Sequence, residues 1–219
     1  MPTIRRLAAV ATGAALAAGA GIAGAPAAAA HDHPEPTGTT PLAEVLLADG
    51  DEFDRNPFDY DIVTQAVLAV LAEKPDSAVG VLTQGDVAAT AFVPNDRAFR
   101  LLVRDLTHEN VRMEADVFAA VAGLGIDTVE TVLLYHVVPG ATIDSDAALA
   151  ADGAHLPTAL EIDGTAQVIG VDVRGRSHVI RLVDNDTDDR DPRVVQFDLN
   201  EGNAQIAHGI DRVLRPVDL

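Results

Sequence analysis

Apolar residues recur at helical spacing through the first two thirds of the chain and at alternating spacing in the last third. Ile62, Val63, Ala66, Val67, Val70 and Leu71 share one helical face, which Lys74-Pro75 closes. Phe99, Leu102, Val103 and Leu106 line a second such face, with Asn95 placed to cap its start. Between the two, Val87 to Val93 is an apolar run too short for a long helix. It reads as a buried strand, stopped by Pro94. Upstream, Thr40-Pro41 reads as an N-cap followed by proline at the first helical position, opening a short helix through Leu42, Val45 and Leu46. Val129, Val132, Leu133 and His136 form a further helical face. Asp127-Thr-Val-Glu130 gives it a capping-box-like start, and Pro139-Gly140 closes it.

From Thr158 the period changes to two. Strands are expected near Ala159–Ile162, Gln167–Val173, His178–Val183 and Val194–Phe197, with a last strand from about Gln205 to Leu214. Asp163-Gly164 and Arg174-Gly175 supply hairpin turns. Helices come first and a meander second, with no internal repeat or linker between them, which is an α+β pattern.

The N-terminal thirty residues carry Arg5 and Arg6, an uncharged Ala-, Gly- and Leu-rich run to Ala25, and Ala28-Ala29-Ala30 before the polar His31. That is the order of a secretory signal peptide, residues 1–30, and the expected location is outside the cell or at its wall. Residues 31–41, rich in Pro and Thr, read as a flexible leader, and residues 42–219 as one domain. No membrane span is expected once the signal is removed, and the product is expected to be soluble and released. The chain has no cysteine, which excludes disulfides, thiol nucleophiles and thiolate metal sites.

Charge narrows the partners. The full chain carries 15 Lys and Arg against 34 Asp and Glu, a net −19. Arg5 and Arg6 are the only charged residues in the first thirty, so the remainder carries 13 against 34, a net −21. Such a field repels nucleic acid and anionic lipid and favours cations or basic partners.

Three segments then carry a likeness. They are Thr90-Ala-Phe-Val-Pro-Asn-Asp-Arg-Ala-Phe99, Tyr135-His-Val-Val-Pro-Gly140 and His208-Gly-Ile-Asp-Arg-Val-Leu-Arg-Pro216. In this order they resemble the fasciclin-like (FAS1) domain over about residues 58–217. The resemblance implies a wedge-shaped β-sandwich with helices packed along one side, in an extracellular adhesion or binding module. Phe92, Pro94, Ala98 and Phe99 match the family's strand-turn-helix block, Tyr135-His136 its Tyr-His pair, and His208 to Pro216 its closing block. The family's usual Asn-Gly-Val-Ile-His is here Asn203-Ala-Gln-Ile-Ala-His208, one residue longer and without the glycine after Asn. An Asp-Ile pair upstream is linked to integrin binding in animal members, and the matching pair is Asp198-Leu199. By resemblance, Asp198, Leu199, Tyr135 and His136 are the interaction candidates. Helical spacing instead sets His136 on an apolar face and favours a hydrogen-bonded core histidine, a reading that extends to Tyr135 and His208.

Two constellations have metal-binding chemistry. Asp184, Asp186 and Asp188 alternate along one loop, with Asp189 and Asp191 beside them. Alternating carboxylates can converge on calcium, which takes six to eight oxygen ligands. The match to an EF-hand loop is partial, because Asp189 stands where glycine belongs and Val195 where the last glutamate belongs. A second acidic loop, Asp49, Asp51, Asp54, Asn56, Asp59 and Asp61, can complete that site or form its own. Solvated turns and helix caps are the competing reading of both loops. Cleavage after Ala30 would also expose His31-Asp32-His33, whose amine, backbone nitrogens and third-residue imidazole suit Cu(II) or Ni(II).

Catalysis lacks a motif. The three serines, Ser77, Ser145 and Ser177, lie outside any Gly-x-Ser-x-Gly, and there is no His-Glu-x-x-His or glycine-rich phosphate loop. The function that the resemblance implies is a secreted, non-catalytic adhesion or interaction module. It needs no cofactor, with calcium as a candidate ligand, and its partner is an extracellular protein or polysaccharide. A calcium-stabilised structural protein of the envelope is one alternative, and a polysaccharide-active enzyme using paired carboxylates is another.

Overall fold

Two strands at the centre of the molecule are buried along their whole length, β1 (Ala89–Pro94) and β7 (Gln205–Ile210). They run parallel, with Ala89 beside Gln205 and Pro94 beside Ile210. β2 (Val137–Pro139) flanks β1 and β6 (Val194–Leu199) flanks β7, both antiparallel, giving a four-stranded sheet in the order β2-β1-β7-β6. A second sheet is an antiparallel meander of β3 (His155–Ile162), β4 (Thr165–Arg174) and β5 (Val179–Val183). The computed structural model describes residues 38–48, 52–175 and 179–217. The predicted signal peptide, His31 and His33, and Asp49 and Asp51 lie outside them. Among the described residues no single helix is long and apolar enough to cross a membrane.

The pleat explains why the central strands are buried on both faces. Side chains of a strand alternate between faces. Ala91, Val93 and Ala207 join one core with the helices, while Phe92 and Ile210 join another with Ile169, Val171, Ile180 and Leu182 of the meander. The four-stranded sheet is thus covered on both faces. The meander is covered on one: Ile180 and Leu182 are buried and alternate with exposed or half-buried neighbours. Its β3–β4 turn places Asp163 and Gly164 both at positive φ, 51° and 72°, as a two-residue hairpin of this kind requires.

The helices supply the other layer. They are α1 (Leu42–Ala48), α2 (Asp61–Glu73), α3 (Asp96–Thr107), α4 (Glu114–Ala122) and α5 (Ile126–Tyr135), with a 3₁₀ turn at Ala78–Thr83 and a short α6 (Ser145–Ala150). α3 starts as expected, since the Ala98 N–H donates to Asn95 Oδ1 at 3.0 Å. Phe99, Leu102 and Val103 are buried and Leu106 is half-buried on its inner face.

Three sequence expectations are corrected. The capping box at Asp127–Glu130 does not form: the helix begins at Ile126 behind Gly125, and the carboxylates of Asp127 and Glu130 instead hold the Lys74 ammonium. That helix also does not run to Pro139. It ends at Tyr135, and Val137–Pro139 turns out as β2 to pair with β1. Finally, residues 38–41 of the expected leader are tied to the turn between β6 and β7. Gly38 bridges Asn203, the Thr40 N–H donates to Asn203 Oδ1 at 2.9 Å, and α1 starts at Leu42 rather than Pro41.

Candidate functional site

The loop after β5 does converge its carboxylates on a cation, but the cation is Arg215. Its Nη1 lies 3.2 Å from Asp186 Oδ2, and its Nη2 lies 3.2 Å from both Asp189 Oδ2 and Asp105 Oδ2. The Arg215 N–H donates to Asp184 Oδ2 at 2.9 Å. Arg181 takes Asp191 at 2.8 Å, and Arg212 Nη1 stands 3.6 Å from Asp189. The Asp186 and Asp188 N–H groups donate to Asp184 and Asp186, the turns that short acidic side chains form with their own backbone. Burial pushes Asp184 up to about 6, against the N–H donors that stabilise its ionised form. Desolvation also acts on Asp186, yet hydrogen bonds from Asp188 and Arg215 hold it below the usual carboxylate range. Of the predicted calcium ligands, Asp186, Asp189 and Asp191 thus face guanidinium groups, and Asp184 accepts backbone N–H groups.

Asp198 and Leu199 sit where the β6–β7 register shifts. Asp198 has φ of 57°, and its carboxylate accepts the Ser145 N–H at 2.8 Å, joining this bulge to the start of α6. Leu199 packs, half-buried, against the helical core. Just upstream on this edge strand, Val195 is 54% exposed and Phe197 39%.

Tyr135 and His136 are interior, which corrects their reading as contact residues. Tyr135 is fully buried, and its hydroxyl donates to Val168 O at 2.8 Å. His136 Nε2 accepts the Leu214 N–H at 3.0 Å, so Nδ1 carries the proton, 2.7 Å from Val132 O. Burial lowers His136 to about 4. His208 is held likewise, with Nε2 at 2.8 Å from Ile143 O, and burial lowers its pKa as well. Both nitrogens of each ring are committed to backbone groups, so neither ring offers a free general base.

The second acidic loop gathers residues that sequence order keeps apart. Carboxylate oxygens of Asp54, Asp59 and Asp61 lie within 4.8 Å of one another, and so do those of Asp59, Asp96 and Glu114. Asp61, Asp96 and Glu114 are the first residues of α2, α3 and α4. The Ile62 N–H donates to Asp96 Oδ1 at 3.0 Å, the Asp54 N–H to Glu114 Oε2 at 2.6 Å, and Arg100 Nη2 lies 2.6 Å from Glu114 Oε1. Burial pushes Asp96 up to about 8, over the opposing Ile62 N–H and with help from its carboxyl contact with Asp59 and from the Asp59 and Glu114 charges. Burial raises Glu114 too, against the Asp54 N–H and Arg100. Of this group only Asp54 stood among the predicted metal ligands that the structure describes, with Asp59 and Asp61 in its loop. Asp96 and Glu114 gave no local signal beyond being helix starts.

The model of the fasciclin domain family matches residues 65–216. The chain belongs to the fasciclin domain family. Among solved structures it is similar to the FAS1 domain pair of the insect cell adhesion molecule fasciclin I, at 17% identity and a TM-score of 0.49. That likeness covers 73% of this chain and 48% of the other, so the chain spans about half the length of the domain pair. No curated protein matches the sequence.

As in its sequence, the fasciclin domain here is α+β, and its family blocks meet in space. The Phe92 N–H donates to His136 O at 2.9 Å, and the Leu214 N–H closes on the His136 ring. His136 thereby holds the strand-turn-helix block and the closing block together. Fasciclin domains are known in adhesion-related proteins, are generally non-enzymatic, and are common in extracellular or secreted proteins.

Proposed function

We propose that this fasciclin domain is a secreted, non-catalytic adhesion module that binds an extracellular protein or polysaccharide. Family membership across residues 65–216 carries the reading. The engagement of both buried histidines with the backbone is consistent with it, since those two rings serve the fold. The contact surface is assigned to the β6 edge and the loop of Asp198 and Leu199. An edge strand presents unpaired backbone groups, and this one adds the exposed Val195 and Phe197. A net charge of −19 directs the choice toward basic or cation-bridged partners.

The test is binding of the full chain to cells, wall polysaccharide and matrix protein, beside an unrelated protein of matched charge. Saturable binding is expected, weakened by Val195→Glu, which changes the edge without entering the core. Binding no stronger than the charge-matched control overturns the reading.

A further inference from the structure

Five carboxylates collect at the starts of α2, α3 and α4. Asp54 is exposed and Asp59 half-buried, while Asp61, Asp96 and Glu114 are 4%, 0% and 1% exposed. Arg100 pairs with Glu114. Carboxylates this close in a low-dielectric site cannot all ionise without a counter-charge.

The independent pointer is Asp96. Its Oδ1 caps α2 through the Ile62 N–H, but its Oδ2 is buried and has no hydrogen-bond partner. A buried carboxylate oxygen without a donor is costly to keep. This one belongs to a group whose oxygens lie within 4.8 Å of those of Asp59 and Glu114, a spacing that one ion can bridge. Three helix N-termini meeting here favour negative charge at their ends, which opposes the burial of these oxygens only in part. They leave Asp96 Oδ2 without a donor.

We propose that Asp59, Asp96 and Glu114 form a divalent-cation site, extended toward solvent by Asp54 and Asp61, and that its ion is calcium. The donors are all carboxylate oxygens, which select a hard cation over zinc or copper. They come from a loop and three helix ends rather than a rigid octahedron, which suits the variable coordination of calcium better than the strict geometry of magnesium. The exposed Asp54 supplies the way in. A bound ion would tie α2, α3 and α4 to the 52–60 loop, because each contributes a ligand. This assignment is independent of the adhesion reading and differs from the Arg215 loop, where guanidinium already occupies the centre.

The experiment is calorimetric titration of calcium chloride into the metal-stripped full chain, with thermal unfolding in calcium or chelator at constant ionic strength. Saturable 1:1 binding is expected, and roughly 3–6 °C of stabilisation at calcium tenfold above its Kd. Asp96→Asn keeps the oxygen that caps Ile62 and removes one charge. It is expected to melt higher than wild type in chelator and to lose the calcium response. Asp59→Asn is expected to weaken binding at least tenfold, and Asp86→Asn, an exposed control of equal charge change, to leave it intact. No binding at millimolar calcium overturns the proposal and leaves a shared proton as the counter-charge. Binding that survives both Asp59→Asn and Asp96→Asn overturns it equally.

Discussion

Gln205, at the start of the last strand, accepts the N–H of Leu42 at 2.8 Å and so caps the first helix from 163 residues away. Its amide also donates to Val81 O at 2.6 Å and Gln84 O at 3.0 Å. The side chain is fully buried and joins α1, the 3₁₀ turn and β7. Gln205→Leu leaves one donor and two acceptors without it, and the expected cost is about 2–4 kcal/mol. Urea unfolding checks this, and a cost under about 0.5 kcal/mol would contradict the capping role.

Arg215 stands among Asp105, Asp186 and Asp189. Removing the guanidinium takes the ion pair from the buried Asp186 and leaves the half-buried Asp189 and Asp105 to the more distant Arg212 and Arg104. Arg215→Met is expected to lose about 3–5 kcal/mol. Arg215→Lys should recover only part of it, since a point ammonium cannot reproduce the planar fork that reaches three partners. Equal stability of the Lys variant and wild type in urea would show that charge alone suffices.

His136 links stability to acid. Its pKa falls from the ordinary 6.5 to about 4 on folding, through burial. A depressed folded pKa gives stability that is complete above the unfolded value and lost as pH falls through the folded one. The stability difference between wild type and His136→Phe should therefore narrow from pH 7 toward pH 4. Melting curves across that range test it, and a constant difference would mean the ring does not titrate with folding.

Gly209 is held open by a tyrosine. A Cβ there would meet Tyr60 Oη at 2.1 Å and Gln196 Cβ at 3.1 Å, while the Tyr60 hydroxyl donates to Gln196 Oε1 at 2.7 Å. Gly209→Ala is expected to cost about 1–3 kcal/mol through overpacking. Adding Tyr60→Phe removes the closest atom, so the double variant should lose less than the two single losses combined. Simple additivity in a double-mutant cycle would place the strain elsewhere.

Local signals were enough for much of the fold. The helical face from Ile62 to Leu71, the Asn95 cap and the strand ending at Pro94 were legible because each depends on neighbours in sequence. α4 escaped notice because Met113, its N-cap residue, makes no side-chain cap bond. The end of α5 was misplaced because the chain there is governed by β1, which claims Val137–Pro139 as a partner. The site suffered from the same blindness to distance. Runs of aspartate show where charge is concentrated, but not that Arg215 answers one run and that Asp96 and Glu114 join the other. The first pairing depends on where the segment after β7 packs, the second on helix starts that meet in space.

The parallel register of β1 and β7 also dictates an order of events. Residues 89–94 must wait for residues 205–210 before the central sheet can close. Until then β1 has β2 on one side and an open edge on the other, while α1 lacks the Gln205 side chain that caps it. Such non-local closure slows folding and leaves a half-built sheet exposed. Shortening the chain within β7 would thus remove more than an end: it would withhold the strand that makes the earlier two hundred residues a fold.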